Sequence, residues 1–169
     1  MIINIIDCEP YCFCPDAYER FLVELEQNLA KTFDLLVIFR FSTVWVPKIS
    51  AKTRHLYLQF KLSTRWYGEC ILSPHKMISS YTTPLMNSIC NHQILFCAID
   101  IDDTVKNIAV VDAESGMENP KYKSVQREIQ MEIQAEQQDI IVMKTTEAFL
   151  MTSKIERNPH PQIYTYLSS

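Results

Sequence analysis

Two aspartates stand two positions apart at the end of an apolar run, an arrangement suited to nucleophilic and acid–base chemistry. The run is 96–99, and Asp100 and Asp102 follow it. Alternate side chains of a β-strand share one face, so both carboxylates would lie on the same side of the strand end. One carboxylate can attack as a nucleophile while the other transfers a proton, and together they can hold a divalent cation. The spacing therefore predicts a candidate catalytic pair.

The segment Asp100-x-Asp102-x-Thr104, with the apolar strand before it, resembles the first motif of the haloacid-dehalogenase-type phosphatases. The resemblance implies that Asp100 is the nucleophile, that Asp102 is the general acid/base, and that both help to hold Mg²⁺. It also implies a hydroxyl from a second strand and a lysine, for which Thr145 and Lys154 are the candidates. The alternative is that the two aspartates solvate a strand end and begin a turn.

The cysteines offer a second kind of site. Cys8, Cys12 and Cys14 follow one another closely, and Cys90 stands two positions before His92. A zinc site would combine Cys12, Cys14, Cys90 and His92. Structural zinc sites usually show two separated cysteine pairs of the C-x2-C kind, and these spacings are irregular. We therefore expect reduced cysteines and no cofactor, with zinc as the alternative.

A basic stretch interleaved with aromatic residues lies at 40–76, where seven bases stand against one acid. Such a mixture can neutralise phosphates and stack on bases, so nucleic acid, RNA in particular, is one possible partner of this stretch. The candidate binding residues are Arg54, Lys61, Arg65, Trp45 and Trp66. The whole chain carries a net charge of −4, and an acidic protein partner would explain the same stretch.

Glycine is scarce, since Gly68 and Gly116 are the only two in 169 residues. A Rossmann fingerprint and a P-loop each require several glycines within a few positions, because the backbone must approach a phosphate closely. The composition therefore excludes nucleotide binding through these glycine-rich loops.

The chain contains no apolar run near the roughly 18 residues of a membrane span, so we expect no membrane partner. The first residues lack the positive region and cleavage site of a signal peptide. We therefore expect a cytoplasmic or nuclear protein in a reducing compartment.

Hydrophobic periodicity outlines the elements of an α+β domain. Helical spacing begins after Asp16, which stands three positions before Glu19 as in a capping box, and it returns over 121–138. Alternation predicts strands at 35–45 and 55–62, paired as an antiparallel hairpin. Further strands are predicted at 2–6, 94–101, 108–111 and 140–143, and a further helix from Ser73-Pro74 to 89.

The order of these elements predicts an antiparallel or mixed sheet with two to three helices. Its first six elements match a split β-α-β, ferredoxin-like core, which a C-terminal extension would follow. We expect a single domain over 1–158 and a flexible tail over 159–169.

The sequence supplies only fragments of a catalytic set, so we expect a non-catalytic interaction or regulatory protein with a protein partner. Its composition, low in glycine and rich in isoleucine, is typical of a small accessory protein of a compact genome, such as that of a virus. The enzyme and RNA-binding hypotheses remain as alternatives, and the oligomeric state stays open.

Overall fold

The computed structural model describes residues 1–8, 14–62, 66–86, 93–113, 122–145 and 162–167. The chain divides into two compact units, Met1–Lys76 and Met77–Ser169. Strands predominate, and the described residues form nine strands and three α-helices, with the strands in two mixed sheets. The expectation of a ferredoxin-like α+β core is therefore wrong.

The first unit contains a four-stranded sheet in the order β1-β2-β4-β3. Its strands are β1 (Ile3–Asp7), β2 (Leu35–Ser42), β3 (Tyr57–Leu62) and β4 (Tyr67–Ser73). β1 and β2 are parallel, whereas β4 is antiparallel to both β2 and β3. As a result, β1, β2 and β3 all end at the same edge of the sheet.

Two helices connect these strands and cover one face of the sheet. Helix α1 (Ala17–Leu29) links β1 to β2, and a short 3-10 helix (Thr43–Trp45) leads into α2 (Val46–Lys52) before β3. The helical periodicity after Asp16 is confirmed, since Phe21 and Leu25 are fully buried in the core. Asp16 makes no side-chain cap of the helix; its carboxylate accepts a hydrogen bond from Arg20 instead.

The second unit contains a five-stranded sheet in the order β5-β6-β7-β8-β9. Its strands are β5 (Lys76–Pro84), β6 (Gln93–Ile101), β7 (Thr104–Asp112), β8 (Ile140–Thr145) and β9 (Gln162–Leu167). β6 and β7 form an antiparallel hairpin, and β7, β8 and β9 are parallel. Strand β9 lies within the segment 159–169, for which the sequence predicts a flexible tail.

Helix α3 (Tyr122–Ala135) lies between β7 and β8 in the chain and covers one face of this sheet. Its three apolar positions, Val125, Ile129 and Ile133, are buried, as the sequence predicts. They pack in one cluster with Val111 and Met143, which fixes the face of β7 and β8 that points toward the helix. No described helix is long and apolar enough to cross a membrane.

Two expected elements are absent from the described chain. The segment from Ser73-Pro74 onward forms strand β5 instead of a helix, because its hydroxyl and β-branched residues suit a strand and β6 offers it a pairing edge. The strands at 35–45 and 55–62 do not form a hairpin, because β4 lies between them and pairs with both. β4 is buried on both faces, so it lacks the alternation that reveals a half-buried strand.

Asp34, just before β2, contacts residues at the start of β1 and at and beyond the end of β4. Its carboxylate accepts a hydrogen bond from the backbone N–H of Ile2 at 2.6 Å and contacts Nε2 of His75 at 2.9 Å. Its backbone carbonyl accepts a hydrogen bond from the hydroxyl of Ser73 at 2.8 Å. Burial alone would raise the pKa of Asp34, but the contacts with Ile2 and His75 outweigh it and lower that pKa.

We predict that Asp34→Asn lowers the free energy of unfolding by about 1–2 kcal/mol at pH 7, because hydrogen bonds to a charged acceptor are lost. A carboxylate whose folded pKa is lowered stabilises the protein above its unfolded pKa, and this contribution disappears as the pH falls. Urea denaturation from pH 7 down to about pH 3 should therefore show a shallower pH dependence in the variant. Asp103→Asn, at an exposed position, is the control. The same pH dependence of the free energy of unfolding in Asp34→Asn and in the parent would contradict the prediction.

Candidate functional site

The structure places Asp100 and Asp102 in a tight β-hairpin. Ile101 pairs with Thr104, which leaves Asp102 and Asp103 as a two-residue turn with φ values of 50° and 61°. Positive φ at both positions is the hallmark of a type I′ turn, in which aspartate is favoured. Asp102 is exposed, whereas the Oδ1 atom of Asp100 is buried and has no hydrogen-bond partner. Asp102 thus begins a turn, as in the alternative, whereas the buried oxygen of Asp100 does not solvate the strand end.

The partners that the phosphatase resemblance implies do not converge on this hairpin. Thr145 ends β8, which is parallel to β7, so it lies near the far end of β7 from the turn. The nine residues of β7 span roughly 25 Å. Lys154 lies outside the described residues. Within the described ranges, no group of three or more His, Cys, Asp or Glu residues is placed to hold a metal ion.

The candidate binding residues of 40–76 have different environments. Lys61 is buried, and its Nζ forms an ion pair with Oε2 of Glu69 at 3.0 Å. Trp45 is buried and stacks on Phe21, with 4.9 Å between ring centroids. Arg54 and Trp66 are exposed, and Arg65 lies outside the described residues. Of the four described candidates, only Arg54 and Trp66 are accessible to a partner.

The cysteines of the described chain are free thiols in or near the core. Cys8, Cys70 and Cys97 are buried, and Cys14 is half-buried. Burial raises the pKa of the Cys97 thiol to about 12 and also raises the pKa of Cys70. Cys12, Cys90 and His92 lie outside the described residues, so the zinc alternative stays a prediction.

Charged side chains that the sequence analysis passed over are buried at the carboxyl ends of parallel strands. In the second unit, Asp112 of β7 and Lys144 of β8 are register partners, exposed by only 4% and 0%. The backbone N–H of Ala113 donates to the carbonyl of Lys144 at 2.8 Å, which holds the two strand ends together. The flanking Val111 and Met143 pack toward α3, so Asp112 and Lys144 lie on the opposite face of the sheet.

A similar arrangement ends β1 and β2 in the first unit. Asp7 is buried and pairs in register with Phe39, whose carbonyl accepts a hydrogen bond from the N–H of Cys8 at 3.0 Å. Arg40 follows with a φ of 53°, at a break in the pairing of β2 with β4. Such backbone strain in a residue other than glycine is concentrated at functional sites.

The buried or strained charged residues at these strand ends share a sequence signal. Each is the first charged residue after an apolar run; the four are Asp7, Arg40, Asp112 and Lys144. Asp100 follows a run of the same kind, so the signal alone does not separate a hairpin turn from the carboxyl end of a parallel strand. Only the pairing of the strands makes that distinction.

Solved structures share the fold of this chain, whereas sequence comparisons find no relative. No protein-family model matches the sequence, and no curated protein is significantly similar to it. A humanized D. rerio TDP2 carrying 14 mutations matches with a TM-score of 0.70 at 9% identity, over 82% of this chain and 58% of that one. Sphingomyelinase C from Streptomyces griseocarneus matches with a TM-score of 0.64 at 10% identity, over 79% and 57%. The 3′ phosphatase NExo from Neisseria, bound to product DNA hairpin, matches with a TM-score of 0.58 at 12% identity, over 85% and 56%.

These structures have the endonuclease/exonuclease/phosphatase fold, a β-sandwich, and the likeness assigns that fold to this chain. The chain spans a little over half the length of each. These matched proteins are enzymes that act on phosphate esters of nucleic acid or lipid. The expectation of a non-catalytic, regulatory or viral accessory protein is therefore wrong. The haloacid-dehalogenase alternative falls with it, because that resemblance implies another fold.

We predict that Lys61 has a structural role. Lys61→Met and Glu69→Leu should each lower the free energy of unfolding by about 3–5 kcal/mol, because each leaves one buried charge unpaired. The double variant, measured in the same urea titrations, should recover much of that loss. The exposed pair of Lys52 and Glu26 is the control, and Lys52→Met should cost no more than about 1 kcal/mol. Unchanged stability of Lys61→Met would contradict the prediction.

Proposed function

We propose that this chain is a phosphoesterase domain that acts on nucleic acid. The observation that carries the proposal is the buried pair of Asp112 and Lys144 at the carboxyl ends of two parallel strands, in a fold shared with enzymes that cleave phosphate esters. In open sheets, ligands bind outside the carboxyl ends of parallel strands. A charge buried at such a position has a substantial desolvation cost, which is typical of a functional site.

The two side chains suit the two needs of phosphate-ester hydrolysis. The ammonium group of Lys144 stabilises negative charge on the phosphate oxygens, and such electrostatic stabilisation is usually the largest single contribution to catalysis. The carboxylate of Asp112 accepts the proton of the attacking water. Water oxygen then bonds to phosphorus, the bond from phosphorus to the ester oxygen breaks, and the leaving oxygen takes a proton from solvent.

A metal ion is the common alternative source of positive charge in phosphatases and nucleases. In the described part of the chain, the register partner of Asp112 is a lysine instead of a second acid, and an ammonium group is not a metal ligand. No described cluster of three ligand residues is present. The described residues therefore do not fit a metal centre, and we assign no step to one.

The surface of the first unit favours nucleic acid over lipid as the substrate class. Lys48, Arg54 and Trp66 are exposed there, which gives cationic and aromatic groups to the solvent. Phosphates attract the cations, and unpaired bases stack on aromatic rings. The protein partner and the cytoplasmic or nuclear location expected from the sequence stay predictions.

We predict that Asp112→Asn and Lys144→Met each lower kcat by about 100-fold or more, because each removes one of the two catalytic contributions. The assay follows hydrolysis of a 3′-phosphorylated oligonucleotide and of a small phosphodiester, both with Mg²⁺ and with a chelator. Thermal unfolding confirms that each variant is folded.

Two controls separate this site from the hairpin. Asp100→Asn should keep full activity, because Asp100 lies at the far end of β7 from Asp112, and so should the exposed Lys123→Met on α3. Folded Asp112→Asn and Lys144→Met variants with parental kcat would contradict the proposal, as would a parent protein with no turnover under any condition.

A further inference from the structure

Three large apolar side chains are exposed at the edge of the first sheet where β1, β2 and β3 end. Val44 is 68% exposed, Trp66 is 61% exposed and Leu62 is 53% exposed. Two other described residues at this edge, Trp45 and Phe41, are buried in the core. The exposed three therefore contribute less to the core than these two residues do.

Backbone pairing holds these three residues close to one another. Leu62 is the register partner of Gly68, two positions after Trp66. The backbone N–H of Thr43 donates to the carbonyl of Trp66 at 2.9 Å, and Val44 is the next residue along the chain. We call Trp66, Val44 and Leu62 the exposed apolar cluster.

A positively charged side chain lies near the same edge. Lys48 of α2 is exposed, and its Nζ lies 3.8 Å from the ring centroid of Tyr18, near the start of α1. Two other lysines of the basic stretch are neutralised, because Lys61 pairs with Glu69 and Lys52 pairs with Glu26. Lys48 has no such carboxylate among the described ion pairs, so its charge remains to attract an anion.

An exposed ring and an exposed cation at one edge of a sheet fit single-stranded nucleic acid. An unpaired base stacks on an exposed indole, and the adjoining phosphate is drawn to an ammonium group. In a duplex the faces of the bases are stacked on one another, so a duplex offers the indole no free face. The local excess of bases over acids complements the charge of the strand.

We propose that the exposed apolar cluster is a stacking platform for an unpaired base of a nucleic-acid strand, with Trp66 as the ring and Lys48 as the phosphate contact. The inference deepens the proposed function and rests on it, since it names a single-stranded segment as the part of the substrate that the first unit binds. Trp66 binds substrate here and takes no part in the cleavage.

The test measures binding separately from hydrolysis. A fluorescently labelled oligothymidylate is titrated with the parent and the variants, and anisotropy gives Kd. Trp66→Ala should weaken binding about tenfold, the size expected for the loss of one stacked base. Trp66→Phe keeps a ring and should restore most of the affinity.

A matched control lies on the same strand. Tyr57 is an exposed aromatic residue at the other end of β3, so Tyr57→Ala should leave Kd unchanged. Lys48→Gln should lower the slope of log Kd against log salt by about 0.7, the value for one phosphate contact to a single strand. Hydrolysis of a small phosphodiester without a base should be the same in Tyr57→Ala as in the parent.

The outcomes distinguish the two proposals. Oligothymidylate binding that depends on Trp66, in a protein without turnover, would overturn the proposed function and support the platform. Parental Kd in Trp66→Ala would overturn the platform whatever the turnover. A change in self-association of Trp66→Ala by sedimentation, with Kd unchanged, would assign the cluster to contacts between copies of the chain and would also overturn it.

Discussion

Parallel pairing is the constraint on which the rest of the structure depends. β1 with β2, and β7 with β8, run in the same direction, so the residues that end neighbouring strands come to one edge of their sheet. This geometry joins Asp112 to Lys144, although 31 positions of sequence lie between them. An antiparallel arrangement would place the same charges at opposite edges, as the β6–β7 hairpin separates Asp100 from the end of β7.

Buried charges occupy different positions in the sheets of the two units. Lys61 and Glu69 lie across neighbouring antiparallel strands, and their contact at 3.0 Å satisfies both charges inside the first unit. Such a pair offsets its own desolvation cost and gives little net stability. Asp112 and Lys144 are also buried and in register, but they lie at the carboxyl ends of parallel strands, and the proposed function rests on this position. Position in the sheet thus separates a structural pair from a candidate site.

The sequence predicts the elements that have a clear period. The apolar positions of α1 and α3 recur at helical spacing, and the apolar runs predicted as strands at 94–101 and 108–111 lie within β6 and β7. β4 and β5 are missed for opposite reasons. β4 is buried on both faces and shows no alternation, and β5 is an edge strand whose polar residues resemble a helix start after Ser73-Pro74.

The candidate site could be predicted only in part. The charged residue after each apolar run is visible in the sequence. Which of these residues form the candidate site depends on which strands are parallel, and strand pairing is a long-range property that the local sequence does not reveal. Lys61 shows the same difficulty, since alternation assigns it to solvent while its pairing with Glu69 buries it. The sequence does not distinguish Trp45 from Trp66. In the structure Trp45 is buried against Phe21, whereas Trp66 is exposed.

Gly68 shows how one small residue connects these features. A Cβ at this position would lie 2.5 Å from the carbonyl oxygen of Lys61, so any other amino acid would push β3 away from β4. That displacement would open the Lys61–Glu69 contact and shift Leu62 relative to Trp66. One of the two glycines of this chain therefore stands where the spacing of β3 and β4 leaves no room for a side chain. The Lys61–Glu69 ion pair and the exposed surface depend on the same spacing, so substitutions of Gly68 should be strongly selected against.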